Sequence, residues 1–595
     1  MIRCLCVAFV AWVSIAELAA QEVSRDGPPL SPFRGMRAAA NGIEVQVLDD
    51  TWHALDSVAG VDTGTLLRES QRLCGALAWK RVTEDLPALL AAMGHDVGES
   101  VDVVVHDLTT GEVRELPAVP MTRENRRRVK DAQRDARGPE PDAAVPAAIS
   151  AADARGDLRR LRELLDDAFA YRDLRPVDLD ALLREAGAFG SGTVDRLDLV
   201  RRVDHVLRAF GDGHSRVDEV PPVSNTFLPC LVQQVAGGHV AFRADRSAFV
   251  DAAHPFLTAI DGVPLARWLA AAGAHATRGS ATMQARDAER GLRDLGDLRL
   301  DLEVPGGPRA GAVKLTLQGS DGSCDVQLDV AARRPTYGAW PRADTGLIDG
   351  DVGYLRLLQM RGDAPFLDGI DAAMRAFRGT RGLVVDVRGN GGGTRDALRR
   401  LAPYLLPGDG EPIVGNVAAI LLDHGEPAPV DTLADRGLYP ADWPGWSDAQ
   451  RAAITRFARG FQPSWKLPPG RFSPWHFLVL DRGDNGAAFA YGGKVVVLID
   501  RGCFSATDVF AAALGALPQV TLVGEATSGG SGRATRHVLP KSRIRLQLST
   551  MASFRPDGVL FEGNGVVPDV AVAVEPGDLI GASDTALQRA LEMLR

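Results

Sequence analysis

The chain has 595 residues, of which 45% are hydrophobic and 24% charged, and its formal net charge is −10. A chain of this length divides into several domains, with enough apolar side chains to give each a buried core. Because an acidic chain repels polyanions, nucleic acid is not expected as a partner. Its glycines and prolines follow no triplet repeat, which excludes a collagen-like structure.

The first twenty residues have the order of a secretory signal. Arg3 is followed by an apolar run at 4–16 and by the small-residue end Leu18-Ala-Ala20. Residues 1–20 are therefore predicted to be a signal peptide, the alternative being a buried first helix. The remaining chain contains no stretch of about 18 apolar residues, so no membrane span is expected in the mature protein. The predicted location is periplasmic or extracellular.

Cysteine and histidine patterns give no sign of a metal centre. The cysteines left after removal of the signal are Cys74, Cys230, Cys324 and Cys503. They are far apart and form no C-x-x-C pair, which indicates neither a zinc site nor a disulfide-dense scaffold, although one or two bridges would be compatible. The 11 histidines include no H-E-x-x-H motif, and no cofactor is predicted.

Residues 21–130 mix strand-like alternation with helical periodicity and are predicted to form a small α/β domain of unknown role. The expected strands are Ile43–Val47 and Val101–Val105, and the expected helices are Gly64–Leu77 and Val82–Met93. The segment 131–149 is charged and then rich in proline and alanine, which predicts a linker.

Residues 150–225 carry two helical stripes. Leu158, Leu161, Leu164, Leu165 and Phe169 form the first stripe, and Leu199, Val203, Val206, Leu207 and Phe210 form the second. The second helix is expected to stop at a glycine, just before the turn Asp212-Gly-His-Ser215. A histidine on a glycine-rich turn is suited to general base catalysis near neutral pH, although a single exposed histidine is more often inert.

Residues 226–335 change to short strands. These are expected at Val240–Phe242, Leu298–Leu302 and Val313–Leu317, with one helix near Leu265–Ala272. The pattern predicts a small, mostly β module.

Strands and helices alternate between residues 340 and 595, which is typical of a parallel sheet with crossover helices. The strands are expected at 353–358, 382–387, 495–499 and 520–523, and the helices at 365–377, 395–406 and 506–517. An insertion at about 410–485 contains Trp443, Trp446, Trp465 and Trp475. It is interpreted either as a cover or substrate groove, or as a locally folded flap with its own small core.

Two loops of this region combine glycines with polar or reactive side chains. Ser505 falls between a buried strand and the start of a helix, where a developing oxyanion could bind the N–H of Ala506. The alternative is structural, since Ser505 and Asp508 also form an S-x-x-D helix cap. The glycine-rich loop at 386–393 follows another buried strand and lacks the spacing of a phosphate-binding loop, so it fits an oxyanion donor better.

Four motifs occur in a fixed order along the chain. They are D-G-H-S at 212–215, D-x-R-x-N-x-G-G at 386–393, S-A-x-D at 505–508 and E-G-x-G-V-x-P-D at 562–569. Together they resemble the S41 peptidase family, the C-terminal-processing and tricorn-type serine proteases, in which the third motif reads S-A-x-E. The resemblance spans about residues 150–580 and leaves the first domain unexplained.

The resemblance implies a set of site residues. Ser505 would be the nucleophile, His214 the general base and acid, and Glu562 part of the relay that orients the imidazole. The oxyanion N–H groups would come from Gly392 and Ala506, with Ser215, Asp386, Arg388 and Asn390 as possible supporting residues. A serine hydroxyl needs such a base, and the base needs a fixed tautomer.

The chain fits one of the family's two catalytic variants better than the other. The Ser/Lys branch places its lysine after G-E-x-T-x-G, whereas here the motif at 524–529 is followed by Gly530, and Lys541 lies in a different local context. The resemblance therefore points to the tricorn-like Ser-His arrangement. It departs from the tricorn tetrad at Gly213, where that tetrad has a serine before its histidine.

The fold implied by the resemblance is α/β, with a crotonase-like (ClpP/crotonase) catalytic core at 340–595. A helical subdomain at 150–225 and a PDZ-like module at 226–335 would precede it. The function implied is an exported serine endopeptidase that cleaves protein or peptide substrates through an acyl-enzyme. Two alternatives are a catalytically inactive ligand- or peptide-binding protein of the same fold and a non-peptide acyl hydrolase. An oligomer is compatible with the sequence.

Overall fold

The structure is a computed structural model. It describes residues 30–595 except 40–41, 50, 75–77, 96, 109, 137–144, 342, 407–409, 423–427, 429, 431 and 486–488. The chain divides into two compact units, residues 1–144 and 145–595. The predicted signal peptide and residues 137–144 of the predicted linker lie outside the described residues.

The first unit is built on an antiparallel sheet with helices packed on it. Its strands are Gly35–Ala39, Gly42–Gln46, His53–Val58, Val61–Asp62, Ser100–Asp107 and Val113–Pro120, and its helices are Thr63–Cys74, Ala78–Glu84, Leu86–Ala92 and Arg123–Ala136. Alternate residues such as Val103 and Val105 point into its core, as the strand pattern predicts. The last helix continues into the segment for which a linker is predicted.

The second unit begins with the predicted helical part. A short strand pair, Ala148–Ser150 with Thr193–Asp195, brackets the helices Ala151–Ala168 and Leu179–Ala186, and the helix Arg196–Arg208 follows it. Each of the two longer helices has a side-chain N-cap, from Ser150 and Asp195 respectively. The two predicted leucine and valine stripes are buried against each other, which confirms both helices.

The β module follows. Its strands are Cys230–Val235, Gly238–Arg243, Phe256–Ile260, Val263–Pro264, Ala312–Gly319 and Gly322–Asp329, and its helices are Leu265–Ala274, Ala281–Gly291 and Leu295–Asp301. The strands form one antiparallel sheet.

The strand predicted at Leu298–Leu302 is wrong, because this segment lies largely in the helix Leu295–Asp301. Leucines at 295, 298 and 302 fit the helical spacing i, i+3, i+7. Leucines at 298, 300 and 302 fit strand alternation equally well. Periodicity over so short a run does not separate the two structures. The burial decides it: Leu298 is 2% exposed and Leu300 is 51% exposed.

The central sheet of the second unit is mainly parallel, as predicted. In spatial order its strands are Gly346–Ile348, Val352–Arg356, Gly382–Asp386, Lys494–Ile499, Val520–Gly524 and Val570–Ala571, and only the first pair is antiparallel. Its helices are Ala364–Ala376, Asp396–Leu405, Ala506–Gly515 and Thr585–Met593.

Both faces of this sheet are covered, which is why its strands are almost continuously apolar. Val495, Val497 and Ile499 pack into the larger core with the helices Ala364–Ala376, Asp396–Leu405 and Ala506–Gly515. Val496 and Leu498 point the other way, towards the C-terminal helix. Gly382–Asp386 and Lys494–Ile499 are neighbouring parallel strands, so the loops that leave their carboxyl ends lie side by side.

The tryptophan-rich segment is more regular than the sequence indicates. Its ends form the strands Ile413–Ile420 and His476–Leu480, which join Tyr439–Pro440 and Met551–Phe554 in a second sheet. It also contains the helix Asp448–Gly460 and a short 3₁₀ turn, Ala434–Arg436. Trp443, Trp446 and Trp475 pack with Phe477 in a core of their own. This packing agrees with the locally folded flap.

A third small sheet joins the helical part to the end of the chain. The strand Arg216–Val217, directly after the D-G-H-S turn, pairs with Arg545–Ser549, which also pairs with Ala534–Val538. The turn that carries His214 is thus fixed to residues more than three hundred positions later. Among the cysteines described with their side chains, Cys230, Cys324 and Cys503 are free thiols.

The helix Leu295–Asp301 predicts that a leucine-to-alanine substitution lowers stability by different amounts on its buried and exposed faces. Leu298→Ala is expected to destabilise the protein by about 2–5 kcal/mol, because it empties a filled core position. Leu300→Ala, on the exposed face, is expected to change stability by about 0.5 kcal/mol or less. Chemical denaturation of the two variants measures both, and equal costs would contradict the helix.

Candidate active site

Ser505 lies in the turn between the strand Lys494–Ile499 and the helix Ala506–Gly515. Its backbone has φ 62° and ψ −118°, a region that residues other than glycine rarely occupy. The side chain makes no capping hydrogen bond to the helix. Instead its Oγ is 3.0 Å from His214 Nε2. The helix-cap alternative is therefore wrong for this side chain, and the strained backbone directs the hydroxyl to the imidazole.

Asp508 lies in the first turn of the helix that follows Ser505. Its carboxyl accepts hydrogen bonds from the Gly529 N–H at 3.2 Å and from the Thr527 hydroxyl. The side chain is fully buried, and burial raises its pKa to about 7. Asp508 thus ties the start of this helix to the segment 527–529.

His214 reaches Ser505 from the helical part of the unit. Its imidazole stacks on the Phe504 ring, with centroids 4.6 Å apart and planes at 23°. Its main-chain N–H donates to Asp212 Oδ1 at 3.0 Å. The position of the imidazole is thus set by the stacked Phe504 ring and by the hydrogen bond within the turn 212–214.

Burial lowers the pKa of His214 well below its ordinary value. The negative charge of Asp212 opposes this shift, and the positive charges of Arg436 and Arg216 add to it. The imidazole is therefore neutral at neutral pH, which is the state in which Nε2 can accept a proton from Ser505.

Two buried carboxyl groups, Asp212 and Glu562, lie behind the imidazole. Asp212 Oδ1 is 4.0 Å from His214 Nδ1. Glu562 Oε1 accepts the Gly213 N–H at 3.2 Å. Burial and the charge of Asp212 raise the pKa of Glu562 well above its ordinary value. Among the described residues neither carboxyl group makes a hydrogen bond to Nδ1.

The resemblance implies that Glu562 is part of the relay that orients the imidazole. The structure places Glu562 beside Asp212 and bonds it to the backbone of the histidine turn. Asp212 is the carboxylate with an oxygen 4.0 Å from Nδ1. Ser215 also faces Asp212: its hydroxyl donates to Asp212 Oδ2 and accepts the Ser549 N–H at 3.0 Å.

The glycine-rich loop lies against the nucleophile turn. Asp386 is fully buried and pairs with Arg388 at 2.7 Å and with Arg356 at 3.3 Å. Arg388 also pairs with Asp584 at 2.7 Å. These charges are matched to each other, so Asp386 and Arg388 fix the base of the loop.

Asn390 connects the loop to the turn. Its Oδ1 accepts from the Gly392 N–H at 2.9 Å and from the Thr507 hydroxyl at 2.9 Å, and its carbonyl oxygen accepts the Phe504 N–H at 3.2 Å. A Cβ on Gly392 would lie 2.8 Å from Ser505 Cβ, so only glycine allows this approach.

The two predicted oxyanion donors differ in whether their main-chain N–H already has a hydrogen-bond partner. Ala506 is the first residue of its helix, where a main-chain N–H has no partner within the helix. The N–H of Gly392 is bonded to Asn390. Lys541, the candidate for a Ser/Lys dyad, is 59% exposed and lies 3.9 Å from Asp153, away from this site.

A serine hydroxyl, a neutral imidazole and helix-terminal N–H groups, held on an α/β fold, define a serine-type hydrolase. Residues 351–572 match the family model described as Peptidase family S41. This part of the chain is an S41 domain, and the protein is a serine-type peptidase.

Solved structures agree in fold. The crystal structure of mature CPAF matches with a TM-score of 0.54 and 18% sequence identity, over 75% of this chain and 98% of that chain. The structure of mature CPAF complexed with lactacystin matches with a TM-score of 0.52 and 18% identity, over 75% of this chain and 98% of that chain. At this identity the likeness establishes the shared α/β fold.

Three residues of the site are missing from the sequence-based prediction. Asp212 stands inside the D-G-H-S motif, two residues before His214, so its acidic side chain is a signal that was available. Asp508 is assigned only as a cap, because its burial is not evident from a single sequence. The stacking of Phe504 on His214 joins residues far apart in the chain and has no local signal.

Gly532 packs directly against the imidazole. An added Cβ would lie 3.0 Å from His214 Cγ, 3.1 Å from Nδ1 and 2.9 Å from Ser549 Oγ. Because Gly532 is not in the left-handed region, Gly532→Ala strains contacts rather than backbone. We expect turnover to fall by about 10- to 100-fold through displacement of the ring, measured with a peptide substrate. Gly460→Ala, with nothing within 4 Å, is the control, and equal turnover of both variants would contradict the placement.

The lowered pKa of His214 determines that activity is lost on the acidic side of the pH profile. Protonation of Nε2 removes the base, so kcat/KM is lost as pH falls through this lowered pKa. We expect the acidic limb well below the ordinary histidine value of about 6.5. A limb near pH 7 that disappears in Asp508→Asn would assign the limb to Asp508 and contradict this expectation.

Proposed function

We propose that the protein is an exported serine endopeptidase that cleaves protein or peptide substrates through an acyl-enzyme. The observation that carries the proposal is the 3.0 Å separation between Ser505 Oγ and His214 Nε2, with the serine in a half-buried, strained turn. The S41 family match supports peptide bonds as the target. A protein that only binds ligands needs neither a strained serine nor an adjacent neutral imidazole, so these features favour the enzyme over the inactive alternative.

The proposed reaction begins when His214 Nε2 accepts the Ser505 proton as Oγ attacks the scissile carbonyl. The imidazolium then donates this proton to the leaving amine, and water hydrolyses the acyl-enzyme by the same steps. Asp212 would stabilise the imidazolium by charge, and Glu562 would hold the histidine turn in place by accepting the Gly213 N–H.

The oxyanion would bind the N–H of Ala506 at the positive end of its helix. Gly392 is the proposed second donor. Its N–H would exchange Asn390 Oδ1 for the oxyanion when substrate binds. Asn390 and Ser215 would then act as positioning residues, together with the ion pairs of Asp386 and Arg388 at the base of the loop.

The proposed domain roles follow from the same resemblance. We assign residues 340–595 as a crotonase-like catalytic core, 150–225 as a helical subdomain and 226–335 as a PDZ-like domain. The strand Gly322–Asp329 is an edge of the β module with every second residue exposed, which suits peptide capture by strand addition. The opposite edge, Cys230–Val235, packs against Leu579 and is already covered.

Export is proposed from the signal-like pattern at residues 1–20. Within the described part of the chain, no helix combines the length and apolar character needed to cross a bilayer.

Ser505→Ala is expected to remove the activity. Hydrolysis of an unfolded protein such as casein should fall by about 10⁴-fold or more, because the attacking oxygen is lost. Thermal stability should be nearly unchanged, since the hydroxyl caps no helix. Full turnover by Ser505→Ala would contradict the assignment of the nucleophile.

A serine-directed phosphonate probe distinguishes the enzyme from the inactive binding protein. The wild-type protein should be labelled on Ser505, as located by mass spectrometry, while His214→Ala should be labelled far more slowly. An unlabelled wild-type protein would favour the binding protein.

A further inference from the structure

Arg395 is a buried cation that forms no ion pair with a carboxylate of the described residues, although the exposed Asp435 is near enough to act on its pKa. It follows the glycine-rich loop directly and is 3% exposed. Its guanidinium makes two long hydrogen bonds, to Ser531 Oγ at 3.3 Å and to the Arg436 carbonyl oxygen at 3.4 Å. Over the described residues, no carboxylate forms an ion pair with it. A buried charge is costly unless it is paired, so this guanidinium is poised for a missing anion.

Other buried arginines of the second unit are compensated. Arg299, Arg356 and Arg388 each pair with an aspartate, at 2.9, 3.3 and 2.7 Å respectively. Arg246 donates to two carbonyl oxygens and stacks on the Trp340 ring. The chain is acidic overall, so the unpaired state of Arg395 does not follow from a shortage of carboxylates.

Arg436 extends the positive charge towards solvent. It is half-buried, its Nε is buried without a hydrogen-bond partner, and no described carboxylate forms an ion pair with it. Burial and the charge of Arg436 lower the pKa of Arg395 to about 9. Burial and the charge of Arg533 act in the same direction on Arg436, while the exposed Asp435 opposes them. The guanidinium groups repel one another, and an anion placed between them would relieve that repulsion.

The cluster lies beside the reactive atoms. Arg395 follows Gly392 by three residues, and Gly392 approaches Ser505 as closely as a glycine can. Ser531, the hydrogen-bond partner of Arg395, adjoins Gly532, which packs on the His214 ring. Arg436 is also near enough to act on the pKa of His214. A substrate bound at Ser505 would therefore extend past these two arginines.

We propose that Arg395 and Arg436 form a subsite for a carboxylate of the substrate, next to the scissile bond. The inference rests on the proposed peptidase function and specifies its substrate class. Guanidinium groups bind carboxylates through paired hydrogen bonds, which suits this role. The carboxylate has two chemical sources, an aspartate or glutamate side chain and the free C-terminus of a peptide.

Internally quenched peptides test the subsite and separate its two sources. One series places Asp or Glu, against Asn or Gln, at each position flanking the cleaved bond. A second series compares a C-terminal acid with the corresponding amide. We expect kcat/KM to be about 10- to 100-fold higher for the acidic member at one position or at the terminus, mainly through KM.

Variants connect the preference to the two arginines. Arg436→Gln should reduce the acidic-to-neutral ratio by about tenfold, and Arg395→Lys, which keeps the charge but loses the planar fork, should reduce it less. Arg459→Gln, on the exposed end of the helix Asp448–Gly460, removes the same charge at a distance and should leave the ratio unchanged. Fluorescence anisotropy measures binding of the same peptides to Ser505→Ala, and it gives the acidic-to-neutral ratio of affinities in a variant that does not cleave them.

Equal rates and equal binding for acidic and neutral peptides would overturn the subsite. If Ser505 is still labelled by the phosphonate, the peptidase stands and only the subsite fails. If Ser505 is not labelled but the acidic peptide binds Ser505→Ala selectively, the peptidase fails while the carboxylate site remains. If Arg459→Gln also lost the preference for acidic peptides, the preference would depend only on the net charge of the protein, and the proposal would be overturned.

Discussion

The hydrogen bond between Ser505 and His214 joins two loops that are 291 residues apart in sequence. Neither loop would hold this geometry alone. The serine occupies an unfavourable backbone conformation at the start of a helix whose first turn is bonded to Thr527 and Gly529 through the buried Asp508. The histidine depends on a two-residue strand, Arg216–Val217, that pairs with Arg545–Ser549. The rest of the second unit supplies the rigid sheet and the helical core that keep these supports in register.

Charges of opposite sign flank the imidazole. The buried side chains of Asp212 and Glu562 lie near the ring, and the charge of Asp212 raises the pKa of the imidazole. Burial and the charges of Arg436 and Arg216 lower it. In the proposed reaction the carboxylate would stabilise the protonated ring after proton transfer, whereas the arginines would disfavour that state before substrate arrives. A substrate that neutralises Arg436 would therefore make His214 a stronger base at the moment it is needed.

The sequence is informative where the signal is periodic or local. The parallel sheet and its crossover helices were predictable because buried strands and amphipathic helices alternate there. The loops that carry Ser505 and the glycines were predictable because neighbouring parallel strands end at the same edge of the sheet.

The strand prediction at Leu298–Leu302 was wrong because a run of five residues fits both the helical period and strand alternation. The strands at 413–420 and 476–480 were missed because they pair with each other and with 551–554 over long separations. The relation of Asp212 to Glu562 and the bond between Gly392 and Asn390 depend on side-chain packing, which a single sequence does not encode locally.

The pairing of Arg216–Val217 with Arg545–Ser549 also bears on when the protein becomes active during its synthesis. A growing chain that has reached Ser505 already contains the nucleophile and the histidine, but the strand that pairs with the histidine turn and the Glu562 that accepts the Gly213 N–H have not yet been made. The supports of the histidine turn are therefore complete only when residue 562 has been added to the chain.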